Sequence, residues 1–388
     1  MNITIPKTLF FELFLICFLI AFSSSSSAQE VKKEKWSLFK DTLDHKLDLT
    51  KYIIDAKGLV PIPYLITEPA LGGFGGAMAA LYLSPKKRPL GYEGYIPPDI
   101  TAGFAMYTAN NSWAGGLLRI GSFPEIGVKY RVGAAYVDIN LNFYHESDIV
   151  GTKKLEFNIK SIPLLLSVSK KILNKDLYLG AQYLYADNTL KPNFTESLPG
   201  YISSKEMNGK MGSLGSFLEY DNTKTIFTPN RGIKMNLLYS IDENWTGSDY
   251  SFQEVHGYFN WFLPIKSNWV SGLHLDFQQA YGDTPFYLKP FVILEGIPAA
   301  RYQGNSVYVI ETEQRFDVSY RWSIVGFGGL GKTIDKNQNF NSGTTVYNYG
   351  TGFRYFLARA FNLRAGIDIA KGPDSWGYYI VFGHKWNR

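Results

Sequence analysis

The chain is poor in three things, and each absence excludes a class of protein. Cysteine occurs once in 388 residues, at Cys17 within an N-terminal apolar run, so a chain cleaved after that run has no disulfide to staple it. Charge is sparse. Asp, Glu, Lys and Arg make up 19% and the net charge is +5, too mild and too scattered for a nucleic-acid-binding face. Past residue 30, no stretch holds the ~18 consecutive apolar residues of a membrane-spanning helix. The five His are dispersed, which supports no metal site, and no motif calls for a cofactor.

Aromatic side chains are abundant, at 16% with 27 Tyr, 27 Phe and 8 Trp. A strand that alternates apolar and polar residues averages to near-neutral hydropathy. The mean hydropathy of −0.12 is therefore compatible with membrane strands, though not with membrane helices.

Residues 1–28 read as an export signal: Lys7 in the basic region, an apolar core over 9–22, and Ser26-Ser27-Ala28 at the cleavage site. Residues 29–60 are polar and are expected to form a short periplasmic segment, too brief for an independent domain. Residues 61–388 read as an all-β unit.

The two-residue period recurs throughout that unit. Residues 361–370 set Phe361, Leu363, Ala365, Ile367 and Ile369 against Asn362, Arg364, Gly366 and Asp368. Residues 232–241 set Ile233, Met235, Leu237, Tyr239 and Ile241 against Lys234, Asn236 and Ser240. About sixteen such segments are expected, near the even counts of membrane barrels. They cover 62–67, 73–83, 100–108, 113–121, 128–145, 154–172, 175–188, 208–222, 231–243, 249–264, 266–281, 302–318, 320–333, 343–357, 360–371 and 376–386. Within 128–145 the parity of apolar residues changes, from Tyr130 and Val132 to Val137, Ile139, Leu141 and Phe143. A bulge near Gly133 would account for it. Short connections (172–175, 264–266, 317–320, 357–360) alternate with long ones (189–208, 282–301, 333–342). Short turns at one end and long loops at the other predict an antiparallel transmembrane barrel with the long loops outside. The early connection 84–99 breaks this rule and is expected to pack as a lid.

Soluble sandwiches and small barrels also alternate. They do not put charge on one face of nearly every strand.

Residues 294–316 stand apart. Gly296, Pro298 and Gly304 mark a loop, which leads into a strand carrying Glu311, Glu313 and Arg315 on one parity. That face needs water or counter-charges.

Several segments resemble the BamA/TamA family of outer-membrane assembly factors, the bacterial surface antigen superfamily. Glu219-Tyr-Asp-Asn-Thr followed by Thr228-Pro-Asn-Arg-Gly232 is similar to the family's acidic YD segment leading to P-x-x-G, here expected as a tight turn on Pro229 and Gly232. Phe327-Gly-Gly-Leu-Gly is similar to the family's glycine-rich segment, and Gly350-Thr-Gly-Phe-Arg-Tyr, Leu363-Arg-Ala-Gly-Ile-Asp368 and residues 375–386 resemble its last three strands. The resemblance implies an inward-folding extracellular loop bearing an Arg-Gly-aromatic tip. Here the corresponding residues are Glu295-Gly296-Ile297, so Arg301 is the candidate replacement, with Asp368, Glu311 or Glu313 as its partner. The resemblance is to a short branch without periplasmic repeat domains. Ser375, Gly377, Ile380 and Phe382 fit a C-terminal barrel-recognition signal, with Trp376, Tyr378 and Trp386 expected at the membrane interfaces.

His256 with Glu254, and His274 with Asp276, invite a hydrolase reading, but no serine-nucleophile motif accompanies them and paired polar residues also fill barrel interiors. Glu311, Glu313, Arg315, Arg354, Arg364 and Asp368 are expected to form an internal ion network rather than a transport path. The expected function is a non-enzymatic outer-membrane barrel that aids insertion or translocation of a protein or lipid. The alternatives are a passive pore or structural surface protein and, behind them, an outer-membrane hydrolase. Expected partners are outer-membrane lipid, a protein or lipid substrate, and the barrel assembly machinery for its own insertion, with no nucleic acid.

Overall fold

A computed structural model describes residues 38–386 apart from 56–58, 85, 87–98, 148–150, 174–175, 194–206, 224 and 226. The expected signal peptide and most of the expected 84–99 lid lie outside the described residues. A short helix α1 (Thr50–Asp55) precedes sixteen strands. These are β1 (Leu59–Ile66), β2 (Gly75–Ser84), β3 (Asp99–Thr108), β4 (Trp113–Phe123), β5 (Val128–Ser147), β6 (Gly151–Ile172), β7 (Leu177–Pro192) and β8 (Asn208–Asp221). The second half comprises β9 (Gly232–Asp242), β10 (Phe252–Lys266), β11 (Trp269–Gly282), β12 (Ser306–Asp317), β13 (Trp322–Ile334), β14 (Thr344–Ala358), β15 (Leu363–Lys371) and β16 (Trp376–Phe382). They form one antiparallel sheet in sequence order, a barrel meander in which each strand pairs with the next.

The sheet is inside-out relative to a soluble protein. On β15 the exposed residues are Ile367 and Ile369, while Arg364 and Asp368 are 4% and 0% accessible. The same inversion exposes Leu166 and Val168 on β6, Leu179 on β7, Leu237 on β9, Ile310 on β12 and Leu330 on β13. A contiguous apolar belt of this extent is stable against lipid and unstable against water. Aromatic pairs sit at its two rims, Trp113 stacked on Tyr136 at the long-loop end and Trp269 on Phe316 at the short-turn end.

The parity change in β5 has a different origin from a bulge. The β4 and β6 registers run through Gly133 without a shift. From Val132 through Asp138 the even residues face outward. At the belt's upper edge they change from Val132 and Tyr136 to Asp138, which is bonded to Lys160 at 3.1 Å and to Asn158 at 2.6 Å. Above that edge the interior becomes apolar. Phe143, Leu155, Phe157, Ile159 and Leu190 pack there on Phe286 and Ala300 of the β11–β12 loop.

The segment before β1 is docked at the short-turn end. Lys40 bridges Leu47, forming a small hairpin whose acids surround Arg321 of the β12–β13 turn. Arg321 is 1% accessible. It donates to Asp44 at 2.6 and 2.9 Å, to Asp48 at 2.7 Å and also to Asp41, which accepts a second bond from Arg359 at 3.1 Å. The hydrogen bonds from Arg321 lower the Asp44 pKa to about 2. Burial acts to raise Asp41 and Asp48, but hydrogen bonds, with Arg321 and Arg359 among the donors, hold both below the usual value. A depressed carboxylate stabilises docking above its unfolded pKa and loses that contribution as pH falls through its folded value. The segment should therefore stay docked above about pH 4 and detach as pH falls towards about 2. Arg321→Ala should detach it at neutral pH, because Asp44 and Asp48 lose their shared guanidinium, Asp41 keeps only Arg359, and so short a helix does not stand alone. Limited cleavage measures both, by trypsin at Lys46 and Lys51 for Arg321→Ala at neutral pH and by an acid-active aspartic protease in the same segment for the pH series, with an expected acceleration of about tenfold or more. Unchanged cleavage would mean that other contacts hold the segment.

Candidate functional site

The β11–β12 connection, residues 283–305, folds into the barrel rather than over it. Val292, Leu294 and Ile297 are buried against Val307 and Val309 of β12 and Val346 of β14. Higher up, Phe286 meets Phe143 and Phe157 at ring separations of 5.0 and 5.1 Å. Apolar burial thus fixes the loop at two levels.

Its lowest point is Glu295-Gly296. Gly296 has φ +85°, and a Cβ there would lie 2.5 Å from the backbone nitrogen of Gly372 in the β15–β16 turn. Gly296 N–H donates to the Tyr379 hydroxyl at 2.8 Å, and the Ser375 hydroxyl donates to the Gly296 carbonyl at 3.2 Å. Two backbones in contact, one in the left-handed region, leave glycine as the residue that fits.

The Glu295 carboxylate meets a cation from an unexpected element. After β16 the chain turns at Gly383, with φ +86°, and enters the lumen. Lys385 Nζ lies 3.3 Å from Glu295 and 2.7 Å from Glu311, against the Phe327 ring at 3.4 Å. Trp386 stacks on His274 with ring centroids 5.4 Å apart and donates to Glu311 at 2.6 Å. Asn348 completes the cluster, donating to Glu311 at 3.1 Å and to the Glu295 carbonyl at 3.0 Å.

Below this cluster lies the ion network. Arg354 on β14 and Asp368 on β15 form a two-pronged pair at 2.5 and 2.7 Å, with Glu313 at 3.5 Å from the same guanidinium. Asp317 takes Arg315 at 3.5 Å and Arg364 at 3.3 Å. Arg315 also donates to Asn230 of the β8–β9 connection. On the far wall Lys129 and Arg131 of β5 share Glu219 of β8, at 3.2 and 3.0 Å.

These positions correct several expectations. Arg301 does not reach Asp368, Glu311 or Glu313. It lies at the loop's upper end, 3.1 Å from Asp374 and over the Tyr144 ring. Its side chain leaves the loop six residues after the tip, where the chain has already risen to the rim. Trp386 is in the lumen, not at a membrane interface, because the left-handed turn at Gly383 takes the chain out of the β16 line. Gly377, Ile380 and Phe382 remain on β16. The P-x-x-G element is not a tight turn. Thr228 lies against the start of β15: Asn362, just before the strand, donates to the Thr228 carbonyl at 2.6 Å, and Arg364 N–H donates to the Thr228 hydroxyl at 3.2 Å. The His partners lie across the strand pair. His256 meets Asp276 at 3.1 Å, diagonally across β10 and β11, and His274 meets the directly opposed Asn260 at 2.6 Å.

Missed from sequence were Lys385, Asn348, Tyr379 and Gly372. For Lys385 the available signal was the glycine at 383, interrupting the alternation just before a His-Lys-Trp run.

The barrel is not zipped shut. Among the described residues β1 pairs only with β2 and β16 only with β15. The two edge strands meet through side chains: the Tyr64 hydroxyl lies 3.4 Å from the Ile380 carbonyl, and the Tyr64 and Phe382 rings are 5.9 Å apart. Pro61 and Pro63 share one parity of β1. Proline has no N–H for a ladder, so it settles where its nitrogen faces a free edge. Both deprive the seam of donors. Beside the seam, the loop, β16 and Lys385-Trp386 enclose a cavity of about 340 Å³.

The molecule is a sixteen-stranded antiparallel β-barrel whose lumen is occupied by its own β11–β12 loop. Its fold is similar to that of BamA from Haemophilus ducreyi, solved without POTRA domains 1–3, with a TM-score of 0.57 and 12% identity over 83% of this chain and 69% of that one. It is likewise similar to CdiB from Escherichia coli, with a TM-score of 0.59 and 11% identity over 83% of this chain and 62% of that one. No protein-family model and no curated protein sequence matches the chain.

Proposed function

We propose that this chain is an integral outer-membrane barrel of the BamA/TamA kind, which aids insertion or translocation of a protein or lipid. The observation that carries the reading is the combination of an occupied lumen with an unpaired first–last seam. A passive pore is served by an open lumen and a fully bonded wall; here the β11–β12 loop lies in the lumen and, among the described residues, β1 and β16 do not pair. The apolar belt with aromatic rims supports a membrane location. The fold likeness to BamA and CdiB supports the family placement. The reading includes no catalytic step: His256 and His274 are engaged by Asp276 and Asn260.

Depletion in the producing cell tests the function. The expected result is a fall in the outer-membrane level of at least one protein or lipid class, and unchanged levels would remove the reading. Planar-bilayer recordings separate the alternative. An occupied lumen gives small flickering openings, whereas a large stable conductance would favour the pore.

A further inference from the structure

We propose that the mid-lumen seat of Lys385-Trp386 is a binding site for a basic–aromatic segment of an extended polypeptide, filled here by the chain's own residues. Naming a transported polypeptide as the ligand rests on the proposed function. The existence of the site does not.

The seat is complete for that chemistry. Two carboxylates, Glu311 and Glu295, and the face of Phe327 surround one ammonium group. An aromatic plane, His274, and a hydrogen-bond acceptor, Glu311, receive one indole. Gly272 leaves the space the indole fills, since a Cβ there would lie 2.7 Å from its ring. An ammonium group held by two acids and a ring, beside a stacked indole, is how a pocket recognises a Lys-aromatic pair rather than how a sheet continues.

The occupant is held in the manner of a ligand. Gly383 N–H donates to the Arg364 carbonyl at 2.7 Å, the last such bond of the segment. Among the described residues, 384–386 add no backbone hydrogen bond to the barrel, and their side chains do the anchoring. When they leave, Glu311 and Glu295 face each other without the shared cation, and the site becomes an acidic, half-aromatic recess. That recess attracts a cation from an incoming chain. The adjoining cavity of about 340 Å³, lined by Tyr64 of β1 and Tyr379 of β16, gives a following residue somewhere to lie, on the seam side.

The test uses the full-length barrel in detergent micelles with Lys385→Ala and Trp386→Ala combined. A second form, Lys385→Met with Trp386→Leu, keeps most of the volume filled in case the first does not fold. Heat-modifiable gel migration reports folding. The probe is a fluorescein-labelled hexapeptide of residues 383–388, Gly-His-Lys-Trp-Asn-Arg, followed by anisotropy. The control peptide has Glu in place of Lys and Ala in place of Trp. The vacated alanine barrel should bind the probe about tenfold or more tightly than the unaltered barrel does. Binding should be lost with the control peptide and when Glu311→Gln is added. In the Met/Leu form, preference for the probe over the control peptide carries the same weight. Equal binding to vacated and unaltered barrels, or equal binding of probe and control, would overturn the proposal. If the probe binds while depletion leaves the outer membrane unchanged, the site stands and the transport reading falls. If depletion has its effect and the probe does not bind, the segment is only structural.

Discussion

Arg354→Ala should be among the most destabilising single substitutions in the barrel wall, lowering stability by ~3–5 kcal/mol, the usual consequence of removing one partner of a buried ion pair. Arg354 is 1% accessible and Asp368 0%. Their two-pronged contact at 2.5 and 2.7 Å joins neighbouring strands diagonally. Without the guanidinium, Asp368 loses its counter-charge in a site sealed from water, and Glu313 loses the same neighbour. Arg354→Lys should recover only part of the loss, because a point charge cannot bond both carboxylate oxygens at once. Arg354→Met combined with Asp368→Leu should be far milder than Arg354→Ala, since the pair's worth is partly cancelled by the cost of desolvating it. Urea midpoints followed by heat-modifiable migration give the comparison, and the double variant closes a cycle. A loss below about 1 kcal/mol for Arg354→Ala would place the pair with exposed ion pairs instead.

The sequence made this barrel legible because a two-residue period repeated sixteen times is a strong local signal. Inward parity alone picked out Glu311, Glu313, Arg315, Arg354, Arg364 and Asp368, and the structure brings them into one interior. The period ceases to inform where the chain leaves the apolar belt. Residues 137–143 read as a register shift because the same inward face turns from polar to apolar where the outward face turns from apolar to polar. Contacts between distant loops have no period at all. Arg301 was paired with the wrong acids because its distance along the chain from the loop tip said nothing about height in the barrel. Trp386 illustrates a different limit: an aromatic residue after the last strand reads the same whether it anchors at an interface or turns inward. One left-handed glycine decides between them.

That decision also changes which residue holds the loop, and Gly296→Val tests it most sharply. The substitution should expel the loop tip from the lumen while leaving the barrel folded. A β-branched residue at φ +85° carries a strain of at least ~1–2 kcal/mol. Its Cβ would also press on the Gly372 backbone at 2.5 Å, where no flexible side chain can yield. The loop cannot relieve this locally, because the peptide groups on both sides of Gly296 are bonded, one to Tyr379 and the next to Ser375. Withdrawal uncovers Val307, Val309 and Val346 and separates Glu295 from Lys385. The barrel wall, bonded strand to strand from β1 to β16, does not depend on those contacts for its fold. Planar-bilayer conductance should rise several-fold from small flickering openings to a larger stable level, and protease should cut within residues 290–300 of the folded protein. Arg301→Ala provides the contrast. Its partner Asp374 is half exposed, and an exposed ion pair is worth only ~0–1 kcal/mol, so the loop should remain seated and the conductance unchanged. The opposite order, a stronger effect from Arg301→Ala than from Gly296→Val, would show that the rim contact and not the mid-lumen contact holds the loop.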